Sequence, residues 1–371
     1  MIGWWFAAFA GAAVLAASMM RYEKARRWVL FFFGIELFLL VQPTALIPIG
    51  VLGLGVYILV RRGWTGAAVA LAVGLLVGFK AYAASAGTSP LEAIANPLVP
   101  LGLSYLAFSA ISFAVEARRG TIKPRGLADF FHFLLFFPTV MAGPIKRYGD
   151  FRRLDESTAT RWRAGLPRIG AGLLKVLVLA WPCQEFVTIF AGQPELRTLD
   201  AWLLLYAGAF WLYFDFAGYS DIAIGLARLL GYRVPENFDW PYLRTNIRDF
   251  WRHWHMTLTG FLRDYIYIPL GGNRRGFARE LLNLSATMML IALWHGLAPR
   301  FALFGIYHVV GLVVFTLWRR ARGKPNDNPR PLRRTLAVLF TFHYVAFGWL
   351  FFFVDTSGVM RIAAALVGWG G

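Results

Sequence analysis

Six histidines, His132, His253, His255, His295, His308 and His343, are the residues best suited to chemistry in a 371-residue chain that is 58% hydrophobic. A neutral imidazole, whose ordinary pKa is about 6.5, can take a proton from a hydroxyl at neutral pH. An ionisable group inside an apolar run must also face a bundle interior or a water path, because lipid exposure costs too much. The competing reading for each is a packing residue with one ring nitrogen on a backbone carbonyl. His295, in LIALWHGLAPRF, is the first candidate for a catalytic base, because Gly296 beside it lets a substrate or a second helix come close. His253 and His255 lie in FWRHWHMTLTGFLRDYIYIPLGG, residues 250 to 272. Two residues apart, they point roughly 200° apart on a helix and share a face on a strand. If the stretch is helical, His255 shares a face with Trp251, Thr259 and Leu262, whereas His253 shares one with Asp249 and Thr257. Composition alone does not choose between them. His308 follows His295 by about 20 Å of continuous helix, so the two share a site only if Pro299 breaks the chain.

Two more polar groups stand in apolar surroundings. WLYFDFAGYSDIAIGLARLLG holds Asp215, Tyr219, Ser220 and Asp221, and RDYIYIPLGG holds Arg263 and Asp264. Each group suits either hydrogen bonding that fixes helix packing or contact with a substrate. Other constellations fail: there is no GxxxxGK[ST], no GxSxG and no HExxH. Cys183 is the only cysteine, so a multi-thiolate zinc site and an intrachain disulfide are both excluded, and its apolar context suggests an inert buried thiol. No metal is expected.

The elements that must hold these residues are membrane helices. Only 16% of residues are charged, against roughly a quarter in a soluble domain. About ten crossings are expected, near 2–20, 28–42, 44–60, 64–82, 98–116, 169–191, 201–229, 280–296, 301–318 and 336–354. The first lacks a basic segment before it and is read as a retained span, not a signal peptide. The net charge of +18 sits in short clusters between apolar runs, which argues against nucleic acid and for the positive-inside rule with anionic lipid headgroups as partners. Two segments break the scheme. Residues 127–145 are apolar with bases on both flanks, and Pro138 and Gly143-Pro144 interrupt them, which suggests a re-entrant hairpin. Residues 232–278 mix arginines with aromatics and hold no uninterrupted span, so they must pack on protein or line a wet cavity. GKPNDNPRP, 323–331, reads as a flexible cytoplasmic loop. Nothing divides the chain, so residues 1–371 are expected to form one transmembrane domain.

FWRHWHMTLTGFLRDYIYIPLGGNR resembles the signature of the membrane-bound O-acyltransferase (MBOAT) family, in its bacterial branch of alginate O-acetylation and teichoic acid D-alanyl transfer. Further blocks stand in the same order: PLGLSYLAFSAISF at 100–113, FFPTVMAGPIKRYGDF at 136–151, YFDFAGYSDIAIGLARLLGYRVPENFDWPYL at 213–243 and LWHG at 293–296. The resemblance implies an all-α polytopic protein with re-entrant or half-buried helices and a ring of spans around a tunnel. There an acyl thioester from the cytoplasm, carried by coenzyme A or an acyl carrier protein, meets a hydroxyl from the other side. It makes His295 the presumed base and His255 the second family histidine, which orients the donor or stabilises the developing oxyanion. Asn246, Trp254 and the Asp215–Asp221 and Arg263–Asp264 groups become weaker candidates for lining the tunnel. The acceptor would be an extracytoplasmic polysaccharide or cell-envelope polymer, or a periplasmic acyl-accepting protein, with the enzyme in the bacterial inner membrane. The donor is a substrate; no bound cofactor is expected. A polytopic transporter or pore is the alternative, since broken helices and midplane histidines serve it equally well.

Overall fold

The computed structural model describes residues 4–20, 22–85, 100–323 and 331–369. Among these residues every regular element is a helix, and extended pairing is confined to one antiparallel bridge between Arg153 and Tyr232. The chain forms two compact units, Met1–Gly172 with Tyr219–Glu236, and Leu173–Gly218 with Asn237–Gly371.

The first unit contains α1 (Trp4–Met19), α2 (Glu23–Val41), α3 (Leu46–Arg61), α4 (Thr65–Ser85), α5 (Leu103–Arg118), α6 (Leu127–Leu134) and most of α7 (Thr158–Leu173). Helices α3, α4 and α5 pack on one another, and α2 packs on α1 and α6. The expected interruption of 127–145 is present: α6 stops at Leu134, Pro138 lies in a single tight turn, Phe137–Thr139, and the following backbone is irregular. This run is buried from Phe133 to Val140. Its closeness to α2 depends on Gly34, where an added Cβ would strike the Leu135 carbonyl oxygen.

The second unit starts with a widened turn, Leu174–Ala180, that carries α7 into α8 (Trp181–Phe190). Pro182 explains the widening: it lacks an N–H, and its ring crowds the carbonyl four residues back. Next comes α9 (Thr198–Leu229), whose last turns belong to the first unit, then α10 (Ile247–His253) and α11 (Met256–Leu262), each of seven residues. The long helices α12 (Phe277–His295), α13 (Pro299–Arg322) and α14 (Pro331–Phe353) follow, with α15 (Thr356–Leu366) after them. Pro299 opens α13 at the position where a missing N–H costs nothing. Arg319, Arg320 and Arg322 sit in its last turn, beside the negative end of the helix dipole. Helix α13 packs on α12 and α14, and α10 rests on α13 and α14. The core of this unit is aromatic, with Trp251, Trp254, Phe250, Phe304 and Trp349 buried.

Seven helices among the described residues are long and apolar enough to cross a membrane: Pro43–Arg61, Thr65–Ser85, Thr158–Phe190, Thr198–Leu229, Phe277–His295, Pro299–Arg322 and Pro331–Phe353. They coincide with seven of the ten expected crossings. The other three expected crossings fall on α1 and α5, of 16 residues each, and on the charge-bearing α2; the crossing at 98–116 begins outside the described residues. The loop expected at 323–331 also lies, for all but its two ends, outside them. Cys183 is half-buried, not sealed in a core.

Candidate active site

The stretch around His255 is not one helix. Helix α10 ends at His253, Trp254 is extended, and His255 adopts φ 43° and ψ 54° before α11 begins. A left-handed backbone is uncommon for a residue with a Cβ and costs on the order of 1–3 kcal/mol. The break overturns the face assignments that a continuous helix would give: His255 does not share a helical face with Trp251, nor His253 with Thr257. What holds the break is Asn237. Its backbone oxygen accepts from Met256 N–H at 2.9 Å, and its side-chain Oδ1 accepts from Thr257 Oγ1 at 2.9 Å and more weakly from Thr257 N–H at 3.4 Å.

The same Oδ1 receives Nδ1 of His255 at 3.0 Å. Because both Thr257 groups are donors, the Asn237 atom facing them is the oxygen, and Nδ1 must carry the hydrogen. His255 Nε2 is then a lone-pair acceptor, and it is buried without a hydrogen-bond partner. The ring is only 3% exposed, meeting Phe216 edge-on at 4.7 Å and Trp294 at 6.0 Å. Burial, and secondarily the nearby His295, push its pKa down to about 3, so the imidazole is neutral at physiological pH.

His295 is the last residue of α12 and is half-buried. Trp294 at 4.6 Å and Phe352 at 4.8 Å fix its ring. Gly296 allows the close approach expected of it, and the visitor is the next helix: an added Cβ would meet the Phe301 ring at 2.6 Å. The second unit thus sets His255 and His295 against a common neighbour, Trp294, with Asn237 behind the first and the buried Trp254 tilted against Trp349 at 4.7 Å.

The same unit holds a cavity of about 650 Å³. Arg248, Arg252, Arg263, Arg274 and Arg275 line it. Arg248 is tied to Thr316 at 2.9 Å and to Glu280 at 3.4 Å, and Arg263 clasps its neighbour Asp264 at 2.7 and 3.2 Å. Arg252, Arg274 and Arg275 are exposed and make no ion pair among the described residues. Along α12 the wall is formed by Glu280, Leu284, Thr287 and Ile291. That spacing is one helical face, and His295 continues it one turn further on.

The remaining candidates are not among the residues that line this cavity. Asn246 spends its side-chain oxygen capping α10 through Asp249 N–H at 2.9 Å. Asp215 is exposed on α9 in the second unit. Tyr219, Ser220 and Asp221 belong to the first unit, where Asp221 pairs with Arg168 at 2.6 Å. His253 and His343 behave as packing histidines, with Nδ1 on the carbonyls of Asp249 and Leu339 at 2.8 and 2.7 Å. His308 is fully buried among Trp251, Phe304 and Trp349, with no hydrogen bond at either ring nitrogen. Pro299 does break the chain before it, and Phe304 lies between its ring and that of His295. Asn237 was not singled out from the sequence; an amide within the aromatic run PENFDWPYL was the only signal for it.

Residues 64–354 of this all-helical chain with several helices of membrane-spanning length match the membrane-bound O-acyltransferase family. The chain belongs to the MBOAT family. It is 36% identical over 291 residues to a probable alginate O-acetylase of Pseudomonas fluorescens, covering 77% of this chain and 57% of that protein. It is 32% identical over 268 residues to a teichoic acid D-alanyltransferase of Bacillus subtilis, covering 68% of each. To a peptidoglycan O-acetyltransferase of Helicobacter pylori it is 33% identical over 254 residues, 66% of this chain and 47% of that one. The chain therefore spans between about half and about two thirds of the length of these relatives.

Proposed function

We propose that this chain is an O-acyltransferase of the bacterial cytoplasmic membrane. It moves a short acyl group, acetyl or D-alanyl, from a cytoplasmic thioester to hydroxyls of an extracytoplasmic polysaccharide or cell-envelope polymer, directly or through a periplasmic acyl-accepting protein. The observation that carries this reading is the pairing of a neutral, Asn237-anchored His255 with a half-buried His295 at a helix end.

His295 acts as the base. It takes the proton of the attacking hydroxyl as that oxygen bonds to the thioester carbonyl carbon; the C–S bond then breaks, and the imidazolium returns the proton to the leaving thiolate. His255 orients the donor. Its free Nε2 accepts, so it suits an amide N–H of a pantetheine arm better than a developing oxyanion, which needs a donor. The arginine-lined cavity suits the phosphates that a coenzyme A or carrier-protein donor brings, and the α12 face leads the thioester toward His295.

The test is purified protein in liposomes supplied with a labelled acyl thioester, as coenzyme A ester and as carrier-protein ester, and with a polysaccharide acceptor. Label should pass to the acceptor, and His295→Ala should abolish this while still inserting in the membrane. Full transfer by His295→Ala would remove the mechanism. Vectorial movement of intact donor without transfer would favour a transporter.

A further inference from the structure

The first unit holds a concentration of positive charge of its own. Arg26 on α2 and Arg161 on α7 are each only 5% exposed, yet neither makes an ion pair with a carboxylate among the described residues. Nε of Arg26, Nε and Nη1 of Arg161, and the hydroxyl of Tyr232 are all buried without a hydrogen-bond partner. Arg161 spends only Nη2, on Thr158 Oγ1 at 2.9 Å; a buried polar group left open is costly, so these four atoms call for acceptors.

Arg161 packs against Gly231, the residue before Tyr232, and Arg26 feels the charge of both side chains. Burial first, then the like charges of Arg161 and Arg153, lower the pKa of Arg26, while Tyr232 and Glu23 act in the opposite sense. The backbone that frames them is fixed: Leu154 N–H donates to Gly231 O at 2.8 Å, and Arg233 N–H to Arg152 O at 3.2 Å, closing the bridge at Arg153 and Tyr232. Gly231, at φ +82°, admits the Arg161 guanidinium, since a Cβ there would collide with Nη1. The Tyr232 ring stacks on Phe151 at 4.9 Å, which holds its hydroxyl in position. The carboxylates nearby are already engaged. Glu23 is shared between Arg27 at 3.2 Å and Arg153 at 3.7 Å, and Glu156 is held by both oxygens on Arg228. Asp129 pairs with Arg27. Arg26 and Arg161 are the buried charges that these carboxylates leave over.

We propose that Arg26, Arg161 and Tyr232 form a binding site for a phosphate group. Two uncompensated guanidinium groups and a phenol match the charge and the acceptor oxygens of a phosphate, and arginine favours this partner through paired N–H donors. The phosphate comes either from the headgroup of an anionic phospholipid or from a free phosphate ion. The basic runs around Arg26 and Arg161 are those that the positive-inside rule assigns to the cytoplasm, where both sources are abundant.

The full chain in a zwitterionic detergent, freed of phosphate and endogenous lipid, is heated alone, with millimolar inorganic phosphate, and with micelles doped with phosphatidylglycerol or, as control, phosphatidylcholine. One or both phosphate probes should raise Tm by about 2–4 °C, and phosphatidylcholine should not. Inorganic phosphate acting alone identifies a free-ion site; phosphatidylglycerol acting alone identifies a lipid site. Arg161→Gln should lose the response and, without any anion, melt at or above wild type, because it removes a repelling buried charge. Should that variant fail to fold, Tyr232→Phe, which deletes one hydroxyl and keeps the stack on Phe151, should bind more weakly. No response of the wild type to either probe, or an undiminished response in the variants, overturns the site.

Discussion

At the scale of single residues, the site turns on which ring nitrogen of His255 is free. The Asn237 oxygen commits Nδ1 of His255 to donating, so Nε2 is left to accept. Asn237→Ala removes that anchor and should reduce transfer by about 10 to 100-fold, the rate equivalent of about 1–3 kcal/mol for a broken buried hydrogen bond, measured as kcat with labelled thioester. His295→Ala should cost at least about 100-fold in the same assay if that ring moves the proton. The depressed pKa of His255 also has a stability consequence. Between about 3 and the ordinary 6.5, the unfolded chain binds a proton that the folded ring refuses, so stability falls as pH drops through this window. Lys146, buried and pushed down to about 7, acts in the same sense between that value and the ordinary lysine range, making stability rise with pH there. Tm measured from pH 4 to 9 should climb, and His255→Gln should flatten the acid limb.

At the scale of elements, short breaks do the positioning. The turn between α12 and α13 brings the Phe301 ring where a Cβ on Gly296 would stand. Gly296→Ala should therefore displace His295 or Phe301, destabilising by about 1–3 kcal/mol and lowering kcat, both readable on one purified variant. Much of this level was legible in the sequence. Pro138, Pro299 and the mixed polarity of 232–278 marked interruptions that the structure contains. The left-handed His255 was not, because only Asn237, eighteen residues earlier, makes that backbone affordable, and no local period encodes such a pairing. The widened turns Leu174–Ala180 and Arg263–Tyr267 were equally hidden, although prolines at 182 and 269 follow them.

At the scale of the whole molecule, hydropathy carried the reading furthest. Seven apolar runs emerge as helices of spanning length because lipid leaves the backbone no other way to satisfy its hydrogen bonds. The charge clusters were legible only as an orientation. Arg26 and Arg161 count toward it, yet they are buried, since side-chain burial depends on neighbours far along the chain. The orientation itself predicts accessibility: in a Cys183→Ala background, Trp64→Cys and Arg322→Cys should react with an impermeant thiol reagent only from the cytoplasmic side, and Ser357→Cys only from the outside. Labelling of Trp64→Cys and Ser357→Cys from the same side would overturn the scheme.

The two seven-residue helices that flank His255 are shorter than anything that holds its shape alone in water. Their order is borrowed from the aromatic packing around them, and it should be the first thing surrendered on warming. Turnover should then fail several degrees below the temperature at which the spanning bundle comes apart, so that thermal inactivation and global melting trace two separate curves.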